Sequence, residues 1–585
     1  MRIHTVAAVW AFPVICLIIV LLDLADGNIF YGDVDDRLRA LQIADLLADG
    51  QWFDHTLPFI AMPEPYVSPW SRLVDLPYAG ISLLLTPILG GENALQIASH
   101  AVPPLLAFAF AYLALLVMRS LTETAPAIAQ LAVVALTMTY ALWAFAPGRV
   151  DHHNMQLLAM MAMLAGFCMR GNAWLGGAIA GVAITLSVAI GLECLPLIAV
   201  AVATIAAFAL SGEDRARTLA ASCGATLVIA APLAGLALVG PQVMLATRCD
   251  AWSAPWVAAL FGGGIVLCGI GMPAISRMSV ARRLGFAGLA AIALAMSLAA
   301  AFPACLQGPY AAIGEAAQGF WLDRVPQENS AAFLIERLRF GELATLAICA
   351  FMLAATARKA RRDLRAGEHG FVLVWLISIA ALALAIMQIR FIRFAPAFAP
   401  LLLPWLMAGL SAKPPLISRA HLAVAIAVPA VALALAFTAL QQRAHKPDAV
   451  DLMAADDCPE ADFSQLAAIE YGRIIAPLGV AMPIAEAIVR DGLAHTITAL
   501  PFHRASPGIV RVATAFTSNE PEARKQALAP FDMVAVCARE THIDLTGAPL
   551  YAALVSGNGW PGLEPVGGLP ESGLHLYRID HAALR

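Results

Sequence analysis

The sequence predicts a polytopic α-helical membrane protein with a small α/β domain at its C-terminal end. Three observations lead there. Of 585 residues, 60% are hydrophobic and 13% charged, whereas a soluble globular chain carries about 25% charged residues. The apolar residues gather into thirteen runs, many near the roughly 20 residues that crossing a bilayer takes. From residue 441 onward the chain turns polar and alternates strand-like with helix-like stretches. Mean hydropathy of +0.76 agrees.

The first run, 6–22, follows only Arg2 and His4 and ends on Asp23 and Asp26 without a small-residue cleavage site. It reads as an anchor rather than a removed signal peptide, and the positive-inside rule puts its N-terminus in the cytoplasm. Residues 25–96 then form a long outer loop. Within it Asp35 to Leu47 places Leu38, Leu41, Ile43 and Leu46 on one face, predicting an amphipathic helix lying at the membrane interface. The stretch 78–90 is apolar but too short to span and is assigned to the loop.

The remaining runs are 97–118, 128–147, 154–169, 173–192, 195–211, 218–240, 257–275, 284–302, 341–357, 370–389, 395–410 and 420–440. With these spans the inner segments hold fifteen Lys and Arg residues and the short outer loops four: Arg149, Arg248, Arg390 and Arg393. That bias is the one expected of short loops. It divides the chain into a membrane domain, 1–440, and an outer α/β domain, 441–585, with loops 25–96 and 303–340 on the same outer side. In a bacterial inner membrane that side is the periplasm.

In the outer domain Arg473–Val480, Thr496–Phe502, Met533–Cys537 and Leu574–Ile579 read as strands, and Ile484–Asp491 and Pro521–Leu528 as helices. The ten cysteines include no CxxC pair, which leaves a thiolate zinc site or a thioredoxin-type motif without support. Cys249 with Cys305, and Cys458 with Cys537, fall on the outer side, where each pair could be a disulfide or two free thiols. The net charge of −5 says little about partners, because charges are segregated by loop. Nothing points to nucleic acid.

The chemistry concentrates in Gly148-Arg149-Val150-Asp151-His152-His153-Asn154-Met155-Gln156, ionisable groups set against the end of a span, where they are costly without partners or a task. Asp151 and His153 could face one cation, or Asp151 could simply cap the next helix. A second acidic cluster, Asp33-Val34-Asp35-Asp36, falls on the same side. Carboxylates suit hard ions such as Mg²⁺ or Mn²⁺, and the imidazole leans toward Mn²⁺. Gln388-Ile389-Arg390-Phe391-Ile392-Arg393-Phe394 puts two guanidiniums at the outer end of a span, either to grip phosphate or to snorkel to lipid headgroups.

Thirteen spans, a first outer loop opening with an acidic motif, a Gly-x-x-Asp-His-His motif after the third span, a long outer loop before the tenth and an outer C-terminal domain resemble the catalytic subunit of oligosaccharyltransferases. These belong to the GT-C class of polyprenyl-linked sugar transferases. The resemblance covers the whole membrane part and implies a metal-dependent enzyme. Asp35 would correspond to the aspartate that touches metal and acceptor, and Asp151 and His153 to further metal ligands. Glu328, or Glu315, would be the loop glutamate that completes the site, and Arg390 and Arg393 would bind the donor phosphate. Asp33, Asp36 and His152 lie within the same motifs, and His503-Arg504 sits in a turn that could reach the cavity or serve the surface. Trp70-Ser71-Arg72-Leu73-Val74-Asp75-Leu76-Pro77 is similar to a segment common in bacterial relatives.

The family's Trp-Trp-Asp tripeptide, which reads the peptide acceptor, is absent, and no adjacent tryptophans occur anywhere. This weighs against protein N-glycosylation and favours a lipid, a glycan or another acceptor, with a true protein oligosaccharyltransferase as the alternative. A flippase of lipid-linked glycans would also need outer arginines, but transporters are often built from internal repeats and none is evident. A non-catalytic scaffold would leave both acidic motifs without work.

Overall fold

The computed structural model describes residues 2–26, 33–122, 126–311, 313–410, 448–455, 457–459, 461–538, 545–567 and 573–584; the expected span at 420–440 lies outside them. The chain folds as two compact units. One comprises Met1–Gly32, Trp70–Gly308 and Asn329–Arg443, the other Asp33–Pro69, Pro309–Glu328 and Ala444–Arg585.

The first unit is helical, and the chain is a multi-pass membrane protein. Among the described residues nine helices are long and apolar enough to cross a bilayer, and a tenth span is possible if Ile128–Thr137 and Thr139–Phe145, bent by 66° at Met138, count as one. The run at 6–22 forms the helix Arg2–Leu21 and the run at 154–169 the 16-residue helix His153–Cys168; neither is among the nine. Asp75–Leu89, also short and apolar, is a helix rather than irregular loop.

Helices in a bilayer gain little from hydrophobic sorting and pack through small residues. Asp214–Leu238 shows this on both flanks. A Cβ at Gly177 would lie 2.5 Å from the Leu219 carbonyl, and one at Gly224 would lie 2.5 Å from that of Gly264. At the periphery Val280–Ala301 has no buried residue, leaving Leu289, Ile292 and Met296 for lipid. Ile389–Ala408, by contrast, has 78% of its most apolar 18-residue stretch buried.

The second unit is built on a seven-stranded sheet: β1 (Thr56–Ala61), β2 (Pro65–Val67), β3 (Arg473–Ile475), β4 (Thr496–Ile497), β5 (Met533–Ala538), β6 (Leu563–Pro565) and β7 (Gly573–Ile579), in the order β2-β1-β4-β3-β5-β7-β6. The central β1, β4, β3 and β5 are parallel, while β2, β7 and β6 pair antiparallel. Parallel neighbours need crossovers. Leu478–Arg490 supplies the one from β3 to β4, and Ser506–Thr517 with Pro521–Leu528 the one from β4 to β5.

Three expectations change here. The first outer loop donates two strands to the sheet, so the sheet unit draws on sequence far upstream of residue 441. Its amphipathic helix, Val34–Asp49, has its apolar face covered by protein rather than left for lipid: Leu38 and Ile43 are fully buried and it packs on Leu478–Arg490. Arg37 forks onto Glu486 with two hydrogen bonds of 2.6 Å, so the apolar face already has a protein partner. Two expected strands are also shorter, because residues 478–480 open a helix and β4 stops at Ile497. Both cysteine pairs are bonded, Cys249–Cys305 in the helical unit and Cys458–Cys537 in the sheet unit.

A buried carboxylate and imidazole cluster as candidate active site

The turn that carries the second acidic motif begins with a backbone only glycine adopts readily. Gly148 has φ 85°, in the left-handed region, and its N–H bonds the Ser99 carbonyl at 3.1 Å. Arg149 then stacks over Trp143 at 4.5 Å. Its carbonyl accepts from Asn154 Nδ2 at 2.8 Å and from the Tyr78 hydroxyl at 3.4 Å. The turn is thereby tied to three helices, Asp75–Leu89, Gly91–Leu121 and His153–Cys168.

Asp151 is not used as the cap of the helix that follows. Its Oδ1 accepts the N–H of adjacent His152 at 2.6 Å and lies 2.5 Å from that residue's Nδ1, while Oδ2 lies 3.2 Å from His153 Nε2. Glu193 completes the group: Oε2 is 3.3 Å from His153 Nδ1 and Oε1 is 3.9 Å from His152 Nε2. Arg390 comes within 3.6 Å of Glu193, and Arg393 within 3.9 Å of Asp151 Oδ2. Both guanidiniums are about 15% exposed, on the most internal of the nine described spans. They face carboxylates rather than lipid, which removes the snorkelling alternative for this pair.

Burial works to raise the Asp151 carboxyl, but the charges of His152 and His153, a hydrogen bond with His152 and the Arg149 charge hold it well below the usual range. Burial likewise opposes a charged His152, yet Asp151 and then Glu193 push it up to about 10. The aspartate is therefore ionised at neutral pH.

A divalent cation fits this set. Asp151, His152 and His153 each offer a ligand atom within 4.8 Å of the others. Glu193 Oε2 and Gln156 Nε2 are buried beside them without a hydrogen bond, an arrangement that a further polar group would relieve. Mixed imidazole and carboxylate donors suit Mn²⁺ or Zn²⁺ better than Mg²⁺.

Of the expected residues, Asp151, His152, His153, Arg390 and Arg393 are thus brought together. The others belong to the sheet unit. Asp33 caps the helix Val34–Asp49 and Asp36 returns a bond to the Asp33 N–H, a capping box that leaves Asp35 outside it in the first turn, half-buried. Glu315 is exposed at the start of Glu315–Phe320, and Glu328 is half-buried at the end of Pro326–Glu328. Arg504 binds the Val67 carbonyl of β2 at 3.0 Å, and the His503 ring packs edge-on to Tyr310.

Sequence reasoning missed one contributor and gave another no role. Glu193 sits at the break between Ala173–Ile190 and Leu195–Ser211, a lone carboxylate between apolar runs. The argument that singled out Asp151, that such a group is costly without work, applied to it equally. The Trp70–Pro77 segment frames the cluster. Trp70 packs 6.1 Å from the His152 ring, and Ser71 Oγ donates to the Ala189 carbonyl at 2.6 Å, just ahead of Gly191 and Glu193. Arg72 and Asp75 pair at 3.2 Å beneath it, both fully buried.

No family model and no curated protein matches the sequence. Solved structures do. One is the archaeal oligosaccharyltransferase AglB from Archaeoglobus fulgidus in complex with an inhibitory peptide and a dolichol-phosphate, with TM-score 0.61 and 13% identity over 91% of this chain and 69% of that one. A second is the same organism's oligosaccharyltransferase in complex with Zn and sulfate, with TM-score 0.58 and 15% identity over 91% and 68%. A third is that enzyme tethered to an acceptor peptide containing the NVT sequon, with TM-score 0.62 and 13% identity over 98% and 73%. This chain therefore has the fold of an oligosaccharyltransferase catalytic subunit.

Proposed function

We propose that this chain is an integral-membrane glycosyltransferase. It moves a sugar or oligosaccharide from a polyprenyl-(pyro)phosphate to an acceptor on the outer face of the membrane, the periplasmic face in a bacterial inner membrane. The observation that carries the reading is the buried Asp151-His152-His153-Glu193 cluster with Arg390 and Arg393 set against its carboxylates. It sits in a chain with the fold of oligosaccharyltransferases solved with dolichol-phosphate in one structure and with Zn and sulfate in another. Both disulfides fit an oxidising outer side, with Cys249–Cys305 joining two expected outer loops.

Asp151 and His153, with His152 beside them, would hold a divalent metal, Mn²⁺ by the donor set, which when bound supplies Lewis acidity toward a departing phosphate. Arg390 and Arg393 present planar forks to the same phosphate charge. The reaction is one displacement at the anomeric carbon: the acceptor oxygen forms the new bond, the phosphate leaves with the electron pair of the old one, and a carboxylate takes the acceptor proton. We assign that carboxylate to Asp35, or to Glu328. The missing Trp-Trp-Asp tripeptide favours a lipid or glycan acceptor over a peptide.

The test is sugar transfer by purified protein from polyprenyl-linked donors, with and without EDTA and with Mn²⁺ restored. Transfer that stops with EDTA and returns with Mn²⁺ is expected. Transfer indifferent to EDTA discards the metal, and no transfer by the purified protein, together with precursor accumulating on the cytoplasmic face of cells that lack it, turns the reading to a flippase.

A further inference from the structure

Glu193 is the one member of the cluster that neither acidic motif contains. Its Oε1 lies 3.6 Å from Arg390 and its Oε2 lies 3.3 Å from His153 Nδ1. Gln156 Oε1 is also 3.3 Å from that nitrogen and stands in line with it, whereas Glu193 Oε2 lies off the hydrogen-bond axis. An ionised carboxylate and an amide oxygen can only accept. With both beside Nδ1, a neutral His153 that gives its Nε2 lone pair to a cation shared with Asp151, whose Oδ2 lies 3.2 Å from Nε2, keeps its proton on Nδ1. Metal-binding histidines commonly donate the second ring nitrogen to a carboxylate or carbonyl oxygen, which fixes the tautomer and raises the basicity of the first; here Gln156 Oε1 takes the hydrogen bond and the Glu193 charge stands beside it.

We propose that Glu193 is a positioning residue for His153, holding its proton on Nδ1 and presenting Nε2 beside Asp151 for a divalent cation. The inference rests on the metal reading above. It assigns Glu193 more than neutralisation of Arg390, because the oxygen nearest His153 is not the one nearest Arg390. The backbone serves the same end. Gly191 is so close to Gln156 that a Cβ there would lie 2.9 Å from Nε2, so the break in the span lets the two acceptors of His153 approach together.

The experiment is Mn²⁺ titration of the full chain in detergent, read by the EPR signal of free Mn²⁺, for wild type, Glu193→Gln, His153→Ala and the double variant. Size-exclusion profile and unfolding temperature verify the fold. Glu193→Gln should weaken Mn²⁺ binding by about 10- to 100-fold, the range for such outer partners. In the His153→Ala background it should cost nothing further, since residues acting through one another are not additive. Glu193→Asp, which keeps the charge, should lie between wild type and Gln and decides the matter if Gln does not fold. Unchanged affinity in Glu193→Gln, or losses that add in the double variant, overturns the positioning role. Wild type that binds no Mn²⁺ overturns the metal reading itself, and so is told apart from failure of the Glu193 role.

Discussion

Asp33-Val34-Asp35-Asp36 and Asp151-His152-His153 look alike as sequence, each a short ionisable motif beside an apolar run, but the fold uses them differently. In the first, two of three carboxylates are turned to the backbone: Asp33 accepts the N–H groups of Asp35 and Asp36 at 3.0 and 3.2 Å, and Asp36 accepts that of Asp33 at 3.0 Å. In the second, the carboxylate faces imidazoles and a guanidinium and caps nothing beyond its neighbour. A helix start in a sheet unit offers acidic side chains a local task. A turn buried among spans offers none, so its carboxylates must meet other charges. The contrast teaches that an acidic motif becomes a site candidate once its carboxylates are shown not to serve their own helix.

The contrast is tested most severely at Asp151. Asp151→Asn keeps the shape and one acceptor but removes the charge to which both histidines and Arg393 are drawn. Sugar transfer should fall by more than about 100-fold, with Mn²⁺ binding lost in the EPR titration, as expected when a first ligand goes and outer partners alone are worth 10- to 100-fold. A variant that retains Mn²⁺ binding and transfer would mean that this motif, too, is structural.

Asp35 comes next, because it is the member of the first motif outside the capping box. Asp35→Asn should stop transfer while donor binding and unfolding temperature stay near wild type. If only the unfolding temperature moves, the whole first motif belongs to helix capping and the acceptor carboxylate is to be sought at Glu328.

The two motifs also show how far the sequence could be read. Nine expected runs coincide with described helices able to span, because composition and length alone identify a spanning helix. Asp151, His153, Arg390 and Arg393 were legible for a related reason: a charge at the end of an apolar run is expensive anywhere, so its presence is informative without knowledge of its partners. Their mutual approach was not legible, since it joins segments far apart in sequence, Asp151 and Arg393 being 242 residues apart. Nor was the pairing of β1 with β4. Thr56–Ala61 and Thr496–Ile497 are short, and one Ile60–Ile497 register joins them across 437 residues of chain. The Val34–Asp49 helix was read correctly as amphipathic but given a lipid partner, because an apolar stripe does not say what covers it.

A smaller effect is expected at Gly191, which holds no charge and touches the cluster only through space. In Gly191→Ala the new methyl would press on Gln156 Nε2, 2.9 Å away, the end of a flexible side chain that also reaches His153. Displacing one of two acceptors while Glu193 remains should lower transfer by about tenfold, the lower end of the outer-partner range, with weaker Mn²⁺ binding in step. Loss of transfer with unchanged Mn²⁺ affinity would place the effect on the span break rather than on His153.

The smallest effect belongs to the residue that most resembles Asp151 on paper. Asp33→Ala removes the side-chain acceptor for two backbone N–H groups at the start of Val34–Asp49. The cost of losing such a cap is about 1 kcal/mol. In a unit of this size that lowers the unfolding temperature by about 2–4 °C, measurable by thermal scanning in detergent. Asp33→Asn should recover most of it, because an amide oxygen caps nearly as well. Transfer per folded molecule should hold within about twofold in both variants, a change of less than about 0.5 kcal/mol in the barrier. The comparison breaks if Asp33→Asn, with the cap restored and the unfolding temperature back to wild type, still loses transfer. Then the charge of Asp33 has a task beyond its helix, and both motifs are sites.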